Sequence, residues 1–138
     1  MNITKLADEA KSDEVATEIA IKDRRGEAYA GKGGPTVFLI VGEYSKPYRA
    51  AERATTDRVV KAARMGLDLS SEDSITFRLE RLAGAIVGWK NVETEDGTPV
   101  QCTKENVIEV LRAAPWITQQ VERALQSHAS FFAASSAS

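Results

Sequence analysis

One histidine, one cysteine, a glycine cluster, an acidic loop and a basic run are where this 138-residue chain offers side chains for chemistry. The cluster Gly31-Lys32-Gly33-Gly34-Pro35 has the ingredients of a phosphate cradle. Such a cradle needs a strand, then G-x-x-x-x-G-K followed by Ser or Thr, then a helix whose N-terminus faces the anion. Here Lys32 is followed by Gly33 and the cluster precedes a strand-like run, so the spacing predicts a hairpin loop. His128 lies on the apolar face of a predicted helix, four residues before Phe132. A general base also needs a nucleophile or carboxylate held beside it, and the sequence names none. A partly buried helix position is the expectation. Cys102 stands just before a helix start, where a thiol pKa can fall, but no matching His or Asn signature accompanies it. Both residues are expected to be dispensable for function. Glu93, Glu95 and Asp96 lack the alternating acid spacing with a distal Glu that a calcium loop requires, which predicts a solvated turn. No catalytic residue, metal or cofactor is assigned, and the chain is expected not to be an enzyme.

The basic run holds a real asymmetry. Lys46, Arg49, Arg53, Arg58, Lys61 and Arg64 face only Glu52 and Asp57 between residues 46 and 64. At helical spacing these cations form a solvated face, a docking face for an acidic partner, or a phosphate stripe. The chain as a whole carries 18 Lys and Arg against 20 Asp and Glu, for a net charge of -2, which disfavours nucleic acid as the partner. A single cysteine forbids an intramolecular disulfide. The longest apolar runs, 37–41 and 82–89, fall far short of the ~20 residues that span a bilayer, and Asp8 and Glu9 interrupt any secretory signal. The expected setting is the cytoplasm, without a membrane.

The elements that must position these groups change character halfway along. Ile3, Leu6, Ala7 and Ala10 fit a short N-terminal helix over 3–10. Val15, Thr17, Ile19 and Ile21 alternate with Ala16, Glu18, Ala20 and Lys22, the period of a half-buried strand. The run Thr36 to Val41 is β-branched and aromatic, and the two runs predict antiparallel partners. From Pro47 on, apolar spacing moves to 3.6. Tyr48, Ala51, Thr55, Val59 and Ala62 make one stripe ending near Gly66. Ser70 and Ser71 with Glu72 and Asp73 start a second helix, with Ile75, Leu79, Leu82, Ala83, Ile86 and Val87 inward and Gly88-Trp89 as its end. Residues 91–101 predict a turn or hairpin with Asp96-Gly97 at its tip. Thr103 caps a third helix carrying Val107, Val110 and Leu111. Pro115 opens a fourth, lined by Ile117, Val121, Ala124, Leu125, His128 and Phe132. The expectation is an α+β fold: a small N-terminal antiparallel sheet within 14–42, then a compact bundle of three to four helices within 46–132. Residues 1–132 make a single domain, its central pair the 75–87 and 116–132 helices, and 133–138 a flexible tail.

The order of these features resembles the tail assembly chaperones of long-tailed bacteriophages and prophages. The matching parts are Ile19-Ala20-Ile21-Lys22-Asp23 with Gly26-Glu27, Thr36 to Val41 with Gly42 and Ser45, and the helix bearing Arg49, Arg53 and Arg58. They continue with Leu82-Ala83-Gly84-Ala85-Ile86-Val87-Gly88-Trp89, Asp96-Gly97, Thr103-Lys104-Glu105-Asn106-Val107 and Ala114-Pro115-Trp116-Ile117, and close on Gln120-Val121 and Phe131-Phe132. The resemblance implies a non-enzymatic protein of the host cytoplasm that binds tail-tube or tape-measure protein during tail morphogenesis. Families of this kind often make a longer frameshifted product as well. The rival reading is a virion structural protein at the head-tail joint or tail tube. Adjacent phenylalanines differ by about 100° around a helix, so Phe131 and Phe132 cannot both enter one seam. Together with Arg49, Arg53 and Arg58 they are the expected partner-binding residues, for a tail protein or for a homo-oligomer.

Overall fold

The computed structural model describes residues 1–129. It is an α+β fold in which a three-stranded antiparallel sheet receives helices on one face. Helix α1 (Ile3–Ser12) starts on the Asn2 side chain, which accepts from Thr4 N–H, and buries none of its residues. Strand β1 (Thr17–Ala20) pairs with β4 (Val37–Ile40) in the register Thr17↔Ile40 to Ala20↔Val37, as the alternation predicts. Between them β2 (Ala30–Gly31) and β3 (Gly34–Pro35) form a tight hairpin. Lys32-Gly33 is its tip, and Gly34 holds a φ of +126°. The glycine cluster is therefore a turn.

Helix α2 (Lys46–Arg64) is capped by the buried Ser45, with Pro47 in its first turn. It stops at Gly66, whose φ of +68° lets Leu67 N–H reach back to Ala62 O. Helix α3 (Ser71–Ala83) opens on a capping box between Ser70 and Asp73. Strand β5 (Ile86–Lys90) follows, then α4 (Lys104–Ala113) with its Thr103 cap, and α5 (Pro115–Gln126).

The second helix of the sequence analysis is thus corrected: α3 ends at Ala83, and Ile86, Val87, Gly88 and Trp89 form a strand inside the half expected to be helical. Two local causes combine. Gly84 lies where a side chain would strike Ala51 and the Pro47 carbonyl, so the chain crosses α2 closely and turns. The β-branched Ile86-Val87 then pairs with β4, Phe38 facing Trp89 and Leu39 facing Gly88. A bulge follows, placing Ile86 opposite Ile40 and leaving Val87 exposed. The sheet order is β1-β4-β5.

The core gathers Ile21, Phe38, Ile40 and Ile86 from the sheet side, and Leu79, Leu82, Val107, Leu111, Ile117 and Val121 from the helices. Helix α3 lies between α2 and α4, and α4 packs on α5, so the expected central pair of α3 and α5 gives way to a row of helices. Ile75, expected inward, is 53% exposed. It lines an open cleft with Leu111, Arg112 and Pro115. The 91–101 segment is a hairpin closed by Glu93 and Pro99, with Gly97 at φ +86°.

Candidate partner-binding surface

Helix α2 divides its surface cleanly. At about 100° per residue, Lys46, Arg49, Arg53, Lys61 and Arg64 fall within an arc of roughly 120° opposite the buried Tyr48 and Thr55. All five are exposed and none makes a salt bridge among the described residues. Asp57 lies in the same arc, four residues from both Arg53 and Lys61, and only partly offsets the charge. Arg58 points elsewhere. Its guanidinium pairs with Glu80 of α3 and sits 4.8 Å from the Phe77 ring centroid, so it ties the two helices together. Of the predicted partner-binding residues, then, Arg49 and Arg53 belong to the cationic arc, whereas Arg58 serves the α2–α3 contact. Phe131 and Phe132 lie outside the described residues.

The end of this helical pair carries a feature the sequence reading missed. From Thr56 to Arg64 every residue except Ala62 is exposed. Val60, Met65, Leu67 and Leu69 show 42%, 64%, 57% and 39% of their surface. Both helices pack on each other, and among the described residues α3 is the one element packed extensively against α2. The result is an arm whose tip is apolar and whose outer face is basic. The signal was present in sequence: Val59-Val60 near the end of the helix and Met65, Leu67 and Leu69 just beyond it are more apolar residues than a single neighbouring helix can bury.

His128 and Cys102 take structural positions. His128 is 1% exposed, and its Nε2 lies 2.7 Å from the Val15 carbonyl, which accepts from it. Its Nδ1 is 3.6 Å from Asp13 Oδ1, too long for a hydrogen bond. Asp13 is also buried; it accepts Tyr44 N–H on Oδ2 and Gly42 N–H on its carbonyl, each at 2.8 Å. Gly42 is required there, because a side chain would overlap the Asp13 carboxylate. The group latches the end of α5 to the segment before β1. Cys102 is half-buried, and desolvation pushes its thiol above the ordinary value. Both tryptophans spend their N–H groups internally: Trp89 donates to Val100 O at 2.7 Å and Trp116 to the Tyr29 hydroxyl at 2.9 Å. The Asp96 carboxylate accepts from Thr94 and Thr98 within the hairpin, which holds its pKa below the usual carboxylate range. No grouping of three His, Cys, Asp or Glu suited to a metal occurs among the described residues, and no helix there is long and apolar enough to cross a membrane.

No curated relative and no solved structure matches the chain. A model of the YdaY prophage protein family matches residues 43–137. That span begins just before the Ser45 cap and takes in the basic arm, the Gly84 crossing, β5 and the α4–α5 layer. The helical arm and the layer that anchors it are thus the family's own, and the chain belongs to the YdaY prophage protein family.

Proposed function

We propose that this prophage protein is a non-enzymatic tail assembly chaperone of the host cytoplasm, holding tail-tube or tape-measure protein soluble until the tube polymerises. The observation that carries this reading is the arm: exposed aliphatic side chains at the α2–α3 tip beside a cationic face that includes Arg49 and Arg53. Reversible cover for a client's apolar stripe needs an apolar patch that is already open in the free protein. Cations beside the patch steer acidic clients and speed the encounter. Phe131 and Phe132 remain second contact candidates on sequence grounds.

The test is co-expression of the full chain with the tail-tube and tape-measure proteins of its own prophage, measuring client solubility and pull-down. Wild type should raise soluble client, Val60→Glu/Leu67→Glu should lose capture at unchanged melting, and Arg49→Glu/Arg53→Glu should slow capture. A wild-type chain that retains no tail protein overturns the reading. Purified particles that keep the chain in fixed stoichiometry would favour the virion-component alternative instead.

A further inference from the structure

We infer that the outer edge of β1, together with the cleft between it and α5, binds an extended acidic peptide segment of a partner protein as an added strand. β1 has one strand neighbour, β4, and no strand pairs with its other side among the described residues. The phase of the ladder identifies which groups face outward. Ile21 N–H donates to Thr36 O at 3.0 Å on the β4 side, so alternation turns the backbone groups of Glu18, Ala20 and Lys22 away from β4. Lys22 shows the geometry directly. Its N–H donates to Gln120 Oε1 at 2.9 Å, and its carbonyl accepts from Gln120 Nε2 at 2.8 Å. The carboxamide takes the place that a neighbouring strand's peptide group would fill. Toward the start of β1, Ala20 and Glu18 are exposed, and their outward N–H and C=O groups have no backbone or side-chain partner among the described residues.

A cleft of about 620 Å³ adjoins this edge and runs along α5 past Arg123 to Ser127. Its charge selects the occupant. Lys22, Arg24 and Arg123 line it, and none pairs with a carboxylate among the described residues. Asp23, the acid in the lining, has its Oδ1 occupied by the N–H groups of Arg25 and Glu27 at 2.8 and 3.0 Å. Glu18 is engaged by Lys90 at 2.7 Å. Arg24 is braced over the Trp116 ring, 5.4 Å from its centroid, at the Gln120 end of the cleft. An extended chain with alternate acidic side chains therefore meets open backbone groups on one side and unspent cations on the other. The β1–α5 edge is a surface separate from the α2–α3 arm.

The experiment titrates the full ¹⁵N-labelled chain with the capped peptide acetyl-Thr-Asp-Val-Glu-Val-Asp-amide and with its counterpart carrying Lys at the acidic positions. Saturable shifts are expected at Glu18, Ala20 and residues 119–127 with the acidic peptide only, with slowed hydrogen exchange at the Ala20 N–H. Arg24→Glu/Arg123→Glu should weaken binding at least roughly tenfold at unchanged melting. Ala20→Pro removes an outward donor without touching the β4 ladder and should abolish binding. Should that variant not fold, N-methylation of the peptide at alternate amides does the same from the ligand side, and must abolish binding to wild type. No saturable shift, equal binding of the Lys peptide, binding that survives N-methylation in both registers, or shifts centred on β5 would each overturn the inference.

Discussion

The α2–α3 arm and the α4–α5 layer are built from the same kind of amphipathic helix, yet they use their apolar residues in opposite ways. Helix α5 buries Ile117, Thr118, Val121, Ala124 and Leu125 within twelve residues, and α4 adds Val107 and Leu111. The nineteen residues of α2 bury only Tyr48 and Thr55. The difference lies in what stands underneath. The α4–α5 layer rests on the sheet face formed by Phe38, Ile40 and Ile86, whereas α2 packs mainly on α3 among the described residues. Helical period predicts a helix; burial depends on a second surface to receive it.

Substitutions can break that comparison. Leu82→Ala, Leu111→Ala or Val121→Ala should each cost about 2–5 kcal/mol in urea unfolding, because each leaves a cavity in the core. Met65→Ala or Leu67→Ala, the most exposed of the arm's apolar side chains, should stay within about 0.5 kcal/mol of wild type. Equal costs at both ends would mean that the arm is packed as tightly as the layer. The joint between the two regions comes next in size. Gly84→Ala places a methyl against Ala51 and should cost about 1–3 kcal/mol, with Ala51→Gly restoring much of the loss. Additive single effects would show that the crossing is not the point of contact.

The arm's own stability has a smaller lever at its second helix. Ser70→Ala should cost about 1 kcal/mol through loss of the cap. The Ser70 N–H and hydroxyl hold the Asp73 carboxyl below the usual carboxylate range. A depressed folded pKa means that the contribution is present above the unfolded value, about 4, and is lost as pH falls through the folded one. Asp73 should titrate by NMR below an ordinary Asp in wild type and return toward it in Ser70→Ala. Smallest is Cys102, whose desolvated thiol should alkylate more slowly at neutral pH than glutathione and speed up as pH rises. A rate equal to that of the unfolded chain would contradict its partial burial.

Much of this division was legible in the residues. The alternation of Thr17, Ile19 and Ile21 announced β1, and the Ser70 and Thr103 caps marked helix starts that the structure keeps. Strand β5 was hidden because Ile86 and Val87 continue the spacing of Leu79 and Leu82; only pairing with residues 37–40, far back in the chain, decides for a strand. The cationic arc around Arg49 and Arg53 followed from spacing, while the diversion of Arg58 to Glu80, 22 residues away, did not. Edge and latch were equally silent. The open side of β1 depends on strand order, and His128 reaches Val15 across 113 positions.

That last separation has a consequence for the order in which the chain can fold as it is made. β1 and β4 lie close in sequence and can pair once residue 40 has left the ribosome, but Asp13 and the Val15 carbonyl have no imidazole against them until residue 128 follows. Closing so long a loop costs more chain entropy than the local β1–β4 pairing. The contact between His128 and the segment before β1 can therefore form only after the β1–β4 pair and the intervening helices have been synthesised.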